Sequence, residues 1–360
     1  MTQKELFKIE QNSYIYEHKF PQPQYLGSKY NFREWIYNNI PSKYKINKVF
    51  DAFAGSQSIA YYFKQHGFQV ITNDFLNFNY HIGKALIENS TDILTENDVN
   101  MLFSHAHNKD DFHLIEELYT DLFFERQEAI IIDNFRANID NLNNSYKQSL
   151  AISIMNRSLT RKVTMGHFAH TKALSYASNP ERVKRNRSLI KPIKDIFLEL
   201  VPEYNNAIFD NNHINKSMCM NVLDAVDVIT DIDLIYLDPP YCDSHADYQS
   251  FYHLLETFTN YWKDKKFINS IKRYEPKLFS GFDKKSDFSN SLLKLFDKIS
   301  NIPYWIMSYN DRSYPDVETL YNYLNNYKNV HIEKRQYLNN NGGKGSVKDS
   351  NELLLICTPK

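Results

Sequence analysis

Short apolar runs and a helical pattern alternate between residues 45 and 80. The run 48–56 is apolar and ends in small residues, and apolar positions recur at helical spacing over 59–63. A second apolar run, 68–73, ends on Asp74. Strand, glycine turn, helix and strand in this order are typical of a βαβ unit, so the pattern predicts a parallel sheet.

The middle of the chain, from 81 to 216, changes to a mostly helical pattern. Apolar positions at helical spacing predict helices within 110–134, 150–155 and 190–200. Gly166 indicates a hairpin or loop tip between the last two of them. We interpret this segment as a mainly helical insertion that interrupts an α/β domain.

The α/β pattern resumes after the insertion. Apolar runs predict strands at 218–223, 234–237 and 304–309. The predicted helices in this part are 249–262, 289–299 and 317–324. The last two apolar runs, 330–337 and 352–357, are joined by a loop, so they predict an antiparallel pair at the edge of an otherwise parallel sheet.

Length and composition exclude several classes of protein. The 360 residues suffice for one large or two moderate domains, and no run of ~18 uncharged apolar residues predicts a transmembrane helix. The N-terminal residues lack the apolar core of a signal peptide. Three distant cysteines, Cys219, Cys242 and Cys357, exclude a disulfide scaffold and a cysteine-rich zinc site. We therefore expect a cytoplasmic protein without a membrane partner.

The formal charge of −1, from 42 basic and 43 acidic residues, would argue against a nucleic-acid partner if the charges were evenly spread. They are not: 88–128 holds eleven acidic and two basic residues, whereas 156–194 holds ten basic residues and one acidic. This basic stretch, 156–194, predicts contacts with phosphates. Its alternative interpretation is a solvated helix face, but such faces normally mix both signs.

Two polar features follow the first two predicted strands. Gly55, within Asp51–Ser56, allows a ligand to approach the backbone beside a helix N-terminus, although the segment lacks the G-x-G-x-x-G of dinucleotide enzymes. Asp74 ends the second strand, where a carboxylate can accept hydrogen bonds from both hydroxyls of a ribose. Alternatively, the two are a plain turn and a helix N-cap or solvated strand end. Together they favour an adenosine-type ligand.

The tetrapeptide Asp-Pro-Pro-Tyr, 238–241, directly follows a predicted buried strand. Two prolines end the strand and direct the Asp238 carboxylate, the carbonyls and the Tyr241 ring into the crevice at the carboxyl edge of the sheet. A carboxylate and a carbonyl there can accept both hydrogens of an exocyclic amine, and the ring can stack on a base taken out of its duplex. The alternative is an ordinary Pro-Pro turn.

At these segments the sequence resembles the Dam-like (class alpha) DNA adenine-N6 methyltransferases. Tyr-Leu-Gly-Ser-Lys at 25–29 and Asp-Ala-Phe-Ala-Gly-Ser at 51–56 resemble the cofactor motifs of that family, Asn-Asp-Phe at 73–75 its ribose motif, and 238–241 its catalytic motif. Met-Ser-Tyr-Asn at 307–310 and Glu-Leu-Leu-Leu at 352–355 resemble later strand motifs. The motif order is also that of class alpha, so the resemblance covers the chain from Gln24 to its end.

The resemblance implies an α/β, Rossmann-like methyltransferase fold: a mixed seven-stranded sheet plus a mainly helical inserted target-recognition domain. It divides the chain into 1–80, an N-terminal arm with the first part of the catalytic domain; 81–216, the insertion; and 217–360, the second part of the catalytic domain. The implied cofactor is S-adenosylmethionine, with S-adenosylhomocysteine as product and no metal. The cofactor-binding residues it implies are Tyr25, Gly27, Lys29, Asp51, Phe53, Ala54, Gly55, Ser56, Asp74, Phe75, Asp238 and Asp224, which we place at the end of the strand before the catalytic one.

Catalysis and DNA binding are also assigned by this resemblance and by the basic stretch. The catalytic residues are Asp238, Pro239, Pro240 and Tyr241. The DNA-binding residues are Arg157, Arg161, Lys162, Lys172, Arg182, Lys184, Arg185 and Arg187. Asn156-Arg157 resembles an Asn-Arg pair of Dam, but the Dam hairpin that reads GATC has no recognisable counterpart, which predicts another target sequence.

The implied function is site-specific methylation of an adenine flipped out of double-stranded DNA. The resemblance favours a restriction-modification system, with a cognate restriction endonuclease acting on the same sequence, and we expect a monomer. Two alternatives stay open: an RNA adenine methyltransferase, and a non-catalytic DNA-binding or specificity subunit. The basic stretch favours a duplex over a small RNA site, and a non-enzyme has no need of Asp238–Tyr241 beside an intact cofactor loop.

Overall fold

The computed structural model describes residues 16–41, 45–107, 109–163, 166–240, 247–337 and 350–360. Its strands are β1 (Lys48–Asp51), β2 (Gln69–Asp74), β3 (Lys216–Cys219), β4 (Leu234–Leu237), β5 (Lys266–Ile268), β6 (Arg273–Glu275), β7 (Tyr304–Asn310), β8 (Asn329–Tyr337) and β9 (Ser350–Thr358). Seven of them form one sheet in the order β3-β2-β1-β4-β7-β9-β8, and β5 and β6 form a separate antiparallel hairpin.

The large sheet is mixed, as predicted. The strands from β3 to β7 pair in parallel, whereas β9 runs antiparallel to both of its neighbours, β7 and β8. β9 therefore lies between two strands that precede it in the chain. The fold class of an α/β protein with a mixed seven-stranded sheet is confirmed.

Helices fill the connections between these strands. Those before β3 are α1 (Arg33–Asn38), α2 (Ser58–Gln65), α3 (Asn77–Gly83), α4 (Glu96–Leu102), α5 (Leu114–Tyr119), α6 (Arg126–Ile139), α7 (Ser145–Arg161), α8 (Ala173–Ala177), α9 (Pro180–Arg185) and α10 (Ile193–Asn205). Those after β3 are α11 (Val222–Val228), α12 (Tyr248–Phe251), α13 (His253–Asn260), α14 (Lys285–Lys298) and α15 (Val317–Asn325). None of the described helices has the length and apolar character needed to cross a bilayer.

Three predicted elements differ from the structure. The predicted helix 249–262 is divided at Tyr252 into α12 and α13. The helical segment 110–134 is divided between α5 and α6, and Asp121 between them has a left-handed φ of +59° that no helix continues. The predicted strand 218–223 ends at Cys219 instead. The Asn221 side chain accepts a hydrogen bond from the Leu223 N–H at 3.0 Å and so caps α11, which replaces the end of the strand.

The core of the protein lies on both faces of the sheet, because successive side chains of a strand point to opposite sides. In β4, Leu234 and Tyr236 belong to one buried cluster, with residues of α2, α3, α7 and α10. Ile235 and Leu237 belong to the other, with residues of α11, α14 and α15. The helices of the insertion therefore continue the core of one sheet face, while the domain boundaries at 81 and 216 stay a prediction.

Candidate active site

A cleft of about 1020 Å³, counted out to open solvent, lies where β1, β2 and β4 end. Ligands of parallel α/β proteins bind at this carboxyl edge of the sheet. The cleft is lined by most of the predicted site residues: Tyr25, Gly27, Lys29, Asp51, Phe53, Ala54, Gly55, Ser56, Asp74, Phe75, Asp238, Pro239 and Pro240. Tyr241 lies outside the described residues.

The turn from β1 into α2 depends on Gly55. Its φ of +46° is left-handed, and a Cβ at this position would lie 3.1 Å from Cε1 of the Tyr25 ring. The Gly55 N–H donates a hydrogen bond of 2.7 Å to Oδ2 of Asp74. Glycine satisfies both the backbone conformation and the close approach, so the turn brings backbone into the floor of the cleft.

Asp74 holds this turn from the end of β2. Besides the bond from Gly55, its Oδ1 accepts hydrogen bonds from the Leu76 N–H at 2.8 Å and from Asn79 Nδ2 at 3.1 Å. Burial raises the pKa of Asp74, although these hydrogen bonds oppose the shift. The carboxylate that we expect to bind a ribose thus also holds the turn from β1 into α2 in place.

Asp51 and Asp238 lie at the carboxyl ends of two neighbouring strands, β1 and β4. Asp51 is 1% exposed and pairs in register with Tyr236, two residues before Asp238. Burial, then the nearby charges of Asp238 and Asp74, raise the pKa of Asp51 well above its ordinary value. Neither oxygen of Asp51 makes a hydrogen bond of standard geometry within the described part of the chain.

Lys29 provides a positive charge inside this acidic edge. Its Nζ lies 3.4 Å from Oδ1 of Asp238 and 3.0 Å from Oε1 of Glu352, and its side chain is only 6% exposed. Burial disfavours the charged lysine, but Asp238 and then Glu352 more than offset it, so the pKa of Lys29 is raised. Glu352, in β9, was not predicted as a site residue; the signal available was a single carboxylate within an apolar strand.

An aromatic wall closes one side of the cleft. The Tyr25 ring stacks on Tyr248, at 5.7 Å, and on Tyr252, at 5.0 Å between centroids. The Tyr248 and Tyr252 centroids lie 6.4 Å apart, so the three rings form one cluster. Tyr252 is buried and its hydroxyl accepts a hydrogen bond of 2.8 Å from the Leu26 N–H, whereas Tyr248 lines the cleft. Their spacing on α12 and just after it was the only sequence signal for this wall.

These residues fit a cationic molecule that carries an adenine. Four carboxyl groups, Asp51, Asp74, Asp238 and Asp283, line the cleft together with the ammonium of Lys29, which favours a positively charged ligand. The aromatic residues of the lining, which suit stacking on a purine, are Tyr25, Phe53, Phe75, Tyr236, Tyr248 and Phe282. Within the described residues, no three His, Cys, Asp or Glu side chains are arranged to hold a metal ion.

Asp224 lies elsewhere. It was placed at a strand end, but that position is wrong: Asp224 is in the first turn of α11 and its side chain is exposed. The cleft is lined instead by the residues just before it, Met220, Asn221 and Val222. A role for Asp224 at the adenine stays a prediction that its position does not favour.

The predicted DNA-binding residues divide into two groups. The inner group, Arg157, Arg161 and Lys162, is at the end of α7 and packs within the helical insertion. Arg161 lies 3.6 Å from Glu203 and Lys162 lies 3.0 Å from Glu128, a member of the acidic segment 88–128. Burial lowers the pKa of Arg157. These cations therefore join helices of the insertion to one another.

The outer group consists of Lys172, Arg182, Lys184, Arg185 and Arg187, in and around α8 and α9. Four of them are exposed, and the Arg182 guanidinium stacks on Tyr176 at 3.8 Å from the ring centroid. None of the five forms an ion pair with a carboxylate of the described residues. The outer group is thus available for a polyanion.

Comparison with known proteins identifies the family of the chain. Residues 25–323 match the model of the D12 class N6 adenine-specific DNA methyltransferases. The chain is 32% identical over 351 residues to the type II methyltransferase M2.HphI of Haemophilus parahaemolyticus, covering 94% of this chain and 98% of that protein. It is 25% identical to the modification methylase LlaI of Lactococcus lactis subsp. lactis and 27% identical to the modification methylase StsI of Streptococcus sanguinis. These two matches include 92% and 86% of this chain, but only 54% of LlaI and 47% of StsI. The chain belongs to the D12 class N6 adenine-specific DNA methyltransferase family.

Proposed function

We propose that the protein is a site-specific DNA methyltransferase that transfers a methyl group from S-adenosylmethionine to the N6 of an adenine flipped out of duplex DNA. One observation carries the proposal: a single cleft combines Asp238, after β4, with the glycine turn and Asp74, which follow β1 and end β2. The carboxylate that we assign to the target base and the residues that we assign to the adenosine thus lie at the same edge of the sheet.

Cofactor binding is assigned to the residues that end β1 and β2. When bound, S-adenosylmethionine supplies an activated methyl group on a sulfonium and leaves as S-adenosylhomocysteine. We assign the turn 53–56 to the floor beneath it, Asp74 to its ribose and Phe75 to its adenine. Tyr25 and Lys29 are assigned to its methionine end. All of these residues line the cleft.

The target base is assigned to Asp238, Pro239 and Tyr241. Adenine N6 is a weak nucleophile because its lone pair is delocalised into the ring. The Asp238 carboxylate and the Pro239 carbonyl would accept its two hydrogens and so favour a tetrahedral nitrogen with a localised lone pair. The Lys29 ammonium favours the ionised form of Asp238, as this role requires. Pro240 keeps the segment rigid, and Tyr241 would stack on the flipped base.

DNA binding is assigned to the outer group of the basic stretch. This stretch is attached directly to the cleft wall, because the Phe168 N–H donates a hydrogen bond of 2.8 Å to the Phe251 carbonyl at the end of α12. The His167 ring also packs on Phe251, at 5.3 Å between centroids. α12 carries Tyr248 of the aromatic wall, so a duplex held by the outer group would lie near the mouth of the cleft.

The biological setting follows from the relatives, which are named as a type II methyltransferase and as modification methylases. We propose that this protein, too, acts as the modification enzyme of a restriction-modification system. It would then protect the sites of a cognate restriction endonuclease that cuts the same sequence. We propose that it acts as a monomer.

The test is a labelling experiment with the full chain. The protein is incubated with methyl-labelled S-adenosylmethionine and, in parallel, with duplex DNA, RNA of the same sequence and a mixed protein substrate. We expect N6-methyladenine in the DNA alone. Label in RNA or protein but not in DNA, or cofactor binding without any transfer, would contradict the proposal. Methylation-aware sequencing of DNA from an expressing host gives the target sequence.

A further inference from the structure

Glu352 interrupts an otherwise apolar strand. The residues that follow it in β9, 353–357, are buried and apolar, and Glu352 itself is only 4% exposed. In the sheet it lies opposite Asn310, the last residue of β7. A buried carboxylate is costly unless it is paired, so this position demands a specific partner.

Among the described residues, the Lys29 ammonium is the charged partner of Glu352, and three acceptors lie close to it. Nζ lies 3.0 Å from Glu352, 3.4 Å from Asp238 and 3.5 Å from the Gly27 carbonyl. An ammonium has three N–H donors, so it can serve all three groups at once. The shortest of these distances joins Lys29 to Glu352. Asp238 lines the cleft, whereas Glu352 does not.

We propose that Glu352 is a positioning residue that holds the Lys29 ammonium at a set distance from Asp238, an inference that rests on the proposed function. Asp238 must be ionised and must keep an oxygen available for an N6 hydrogen. A lysine paired with Asp238 alone would move into close contact and occupy that oxygen. Glu352 draws the ammonium the other way, so Lys29 stabilises the charge of Asp238 from 3.4 Å and does not move closer to its oxygen.

The position of Glu352 supports this role over a purely structural one. An uncharged side chain would fill the same space in β9 without a buried charge, and replacing a buried ion pair by well-packed apolar residues of similar volume often costs no stability. The charge is therefore explained better by its effect on Lys29 and Asp238 than by the stability of the strand.

The main test replaces the charge and keeps the shape, with Glu352→Gln. We expect kcat to fall about tenfold, since a small displacement of a reacting group has effects of this order or more. The KM for DNA and the dissociation constant of S-adenosylmethionine, measured by calorimetry, should stay within about threefold of the wild type. Glu352 does not line the cleft, and Lys29 stays there as the partner of Asp238. Glu352→Asp, which keeps the charge, should recover part of the lost kcat even if Glu352→Gln is poorly folded.

A double-mutant cycle with Lys29→Met separates positioning from structure. If Glu352 acts through Lys29, adding Glu352→Gln to Lys29→Met causes no further loss of kcat, and it raises the melting temperature because it removes a buried charge that has lost the Lys29 ammonium. The control is Glu333→Gln, in the neighbouring strand β8, where the carboxylate is exposed and pairs with His331. It should change neither kcat nor the cofactor affinity.

Three results would overturn the inference while leaving the proposed function intact. These are an unchanged kcat for Glu352→Gln, an equal loss of kcat with and without Lys29, and a large loss of cofactor affinity. A wild-type chain that transfers no label to DNA would instead refute the proposed function, and the inference with it.

Discussion

The cleft and the outer group of the basic stretch use the same kind of side chain in opposite ways. In the cleft, Lys29 is 6% exposed and lies between two carboxylates at 3.0 and 3.4 Å. In the outer group, Lys184, Arg185 and Arg187 are exposed and have no ion pair with a described carboxylate. Lys29 is thus an internal counter-ion, whereas the outer cations keep their charge for an external partner.

This difference determines how each region responds to its surroundings. Buried charges interact strongly and are little affected by salt, so the cleft depends on the placement of single atoms. Exposed cations act by releasing counter-ions from DNA, so the outer group depends on charge number and ionic strength. The inner group of the basic stretch resembles the cleft in this respect, because Lys162 lies 3.0 Å from Glu128.

The largest expected effect is in the cleft. Asp238→Ala should lower kcat about 10³-fold, because it removes the acceptor for an N6 hydrogen. Cofactor binding should persist, since Lys29 keeps its partner Glu352. Single-turnover labelling and calorimetry measure the two quantities. Asp227→Asn, at an exposed ion pair with Lys298, is the control and should leave both unchanged; substantial activity in Asp238→Ala would refute the role given to Asp238.

The second largest effect is on DNA binding, which should depend on the outer group of the basic stretch and not on the inner group. Changing Arg182, Lys184, Arg185 and Arg187 together to Gln should weaken DNA binding about 10²-fold and reduce the slope of log K against log salt by about 3. The matched change, Arg161→Gln with Lys162→Gln, should lower the melting temperature and leave the slope intact, because these residues pair with Glu203 and Glu128. Equal slopes for the two sets would remove the distinction between the groups.

A smaller effect is expected at the glycine turn. Gly55→Ala should weaken S-adenosylmethionine binding about tenfold, because a Cβ meets the Tyr25 ring and opposes a left-handed backbone. Gly67→Ala is the control: its φ is +78°, but it follows α2 and does not line the cleft. It should lower stability and leave cofactor affinity unchanged. Calorimetry on both variants checks this, and equal affinities would show that the turn tolerates a side chain.

The smallest effect concerns pH. Glu256 in α13 is buried and accepts a hydrogen bond of 2.8 Å from the Phe78 N–H of α3; burial raises its pKa from 4.5 to about 8. The folded protein then binds more protons than the unfolded chain between these values, so stability falls as pH rises towards and through 8. We expect a loss of about 2 kcal/mol between pH 6 and 9.

Thermal unfolding across that pH range measures this loss. Glu256→Gln should abolish most of it, because the amide cannot ionise, whereas Glu333→Gln, at an exposed carboxylate, should behave as the wild type. Parallel pH profiles for Glu256→Gln and the wild type would show that another group is responsible.

Local patterns were sufficient for the sheet and for most of the cleft. The runs at 48–51, 69–74 and 234–237 are apolar because these strands are buried on both faces, and their carboxyl ends must meet at one edge. The antiparallel pairing of β8 and β9 was predictable because the sequence that connects them shows no helical pattern. Parallel strands need a crossover connection, which is usually a helix.

Features that depend on a distant partner were not predictable in the same way. The role that we propose for Glu352 depends on Lys29, which is remote in the chain. Counting charges also does not distinguish Lys162, which pairs with Glu128, from Lys184, which is exposed. The wrong position of Asp224 has a local cause: the capping side chain of Asn221 starts a helix where apolar residues alone indicate a strand.

The place of β9 has a consequence for the order in which the protein forms. Since β9 lies between β7 and β8 but follows both in the chain, the outer edge of β7 stays unpaired on the ribosome until residues 350–358 have emerged. Glu352, the partner of Lys29, lies in the same strand. Closure of the sheet and completion of the ion network in the cleft are therefore a single late event of biosynthesis, and a nascent chain would not hold Lys29 as the finished protein does.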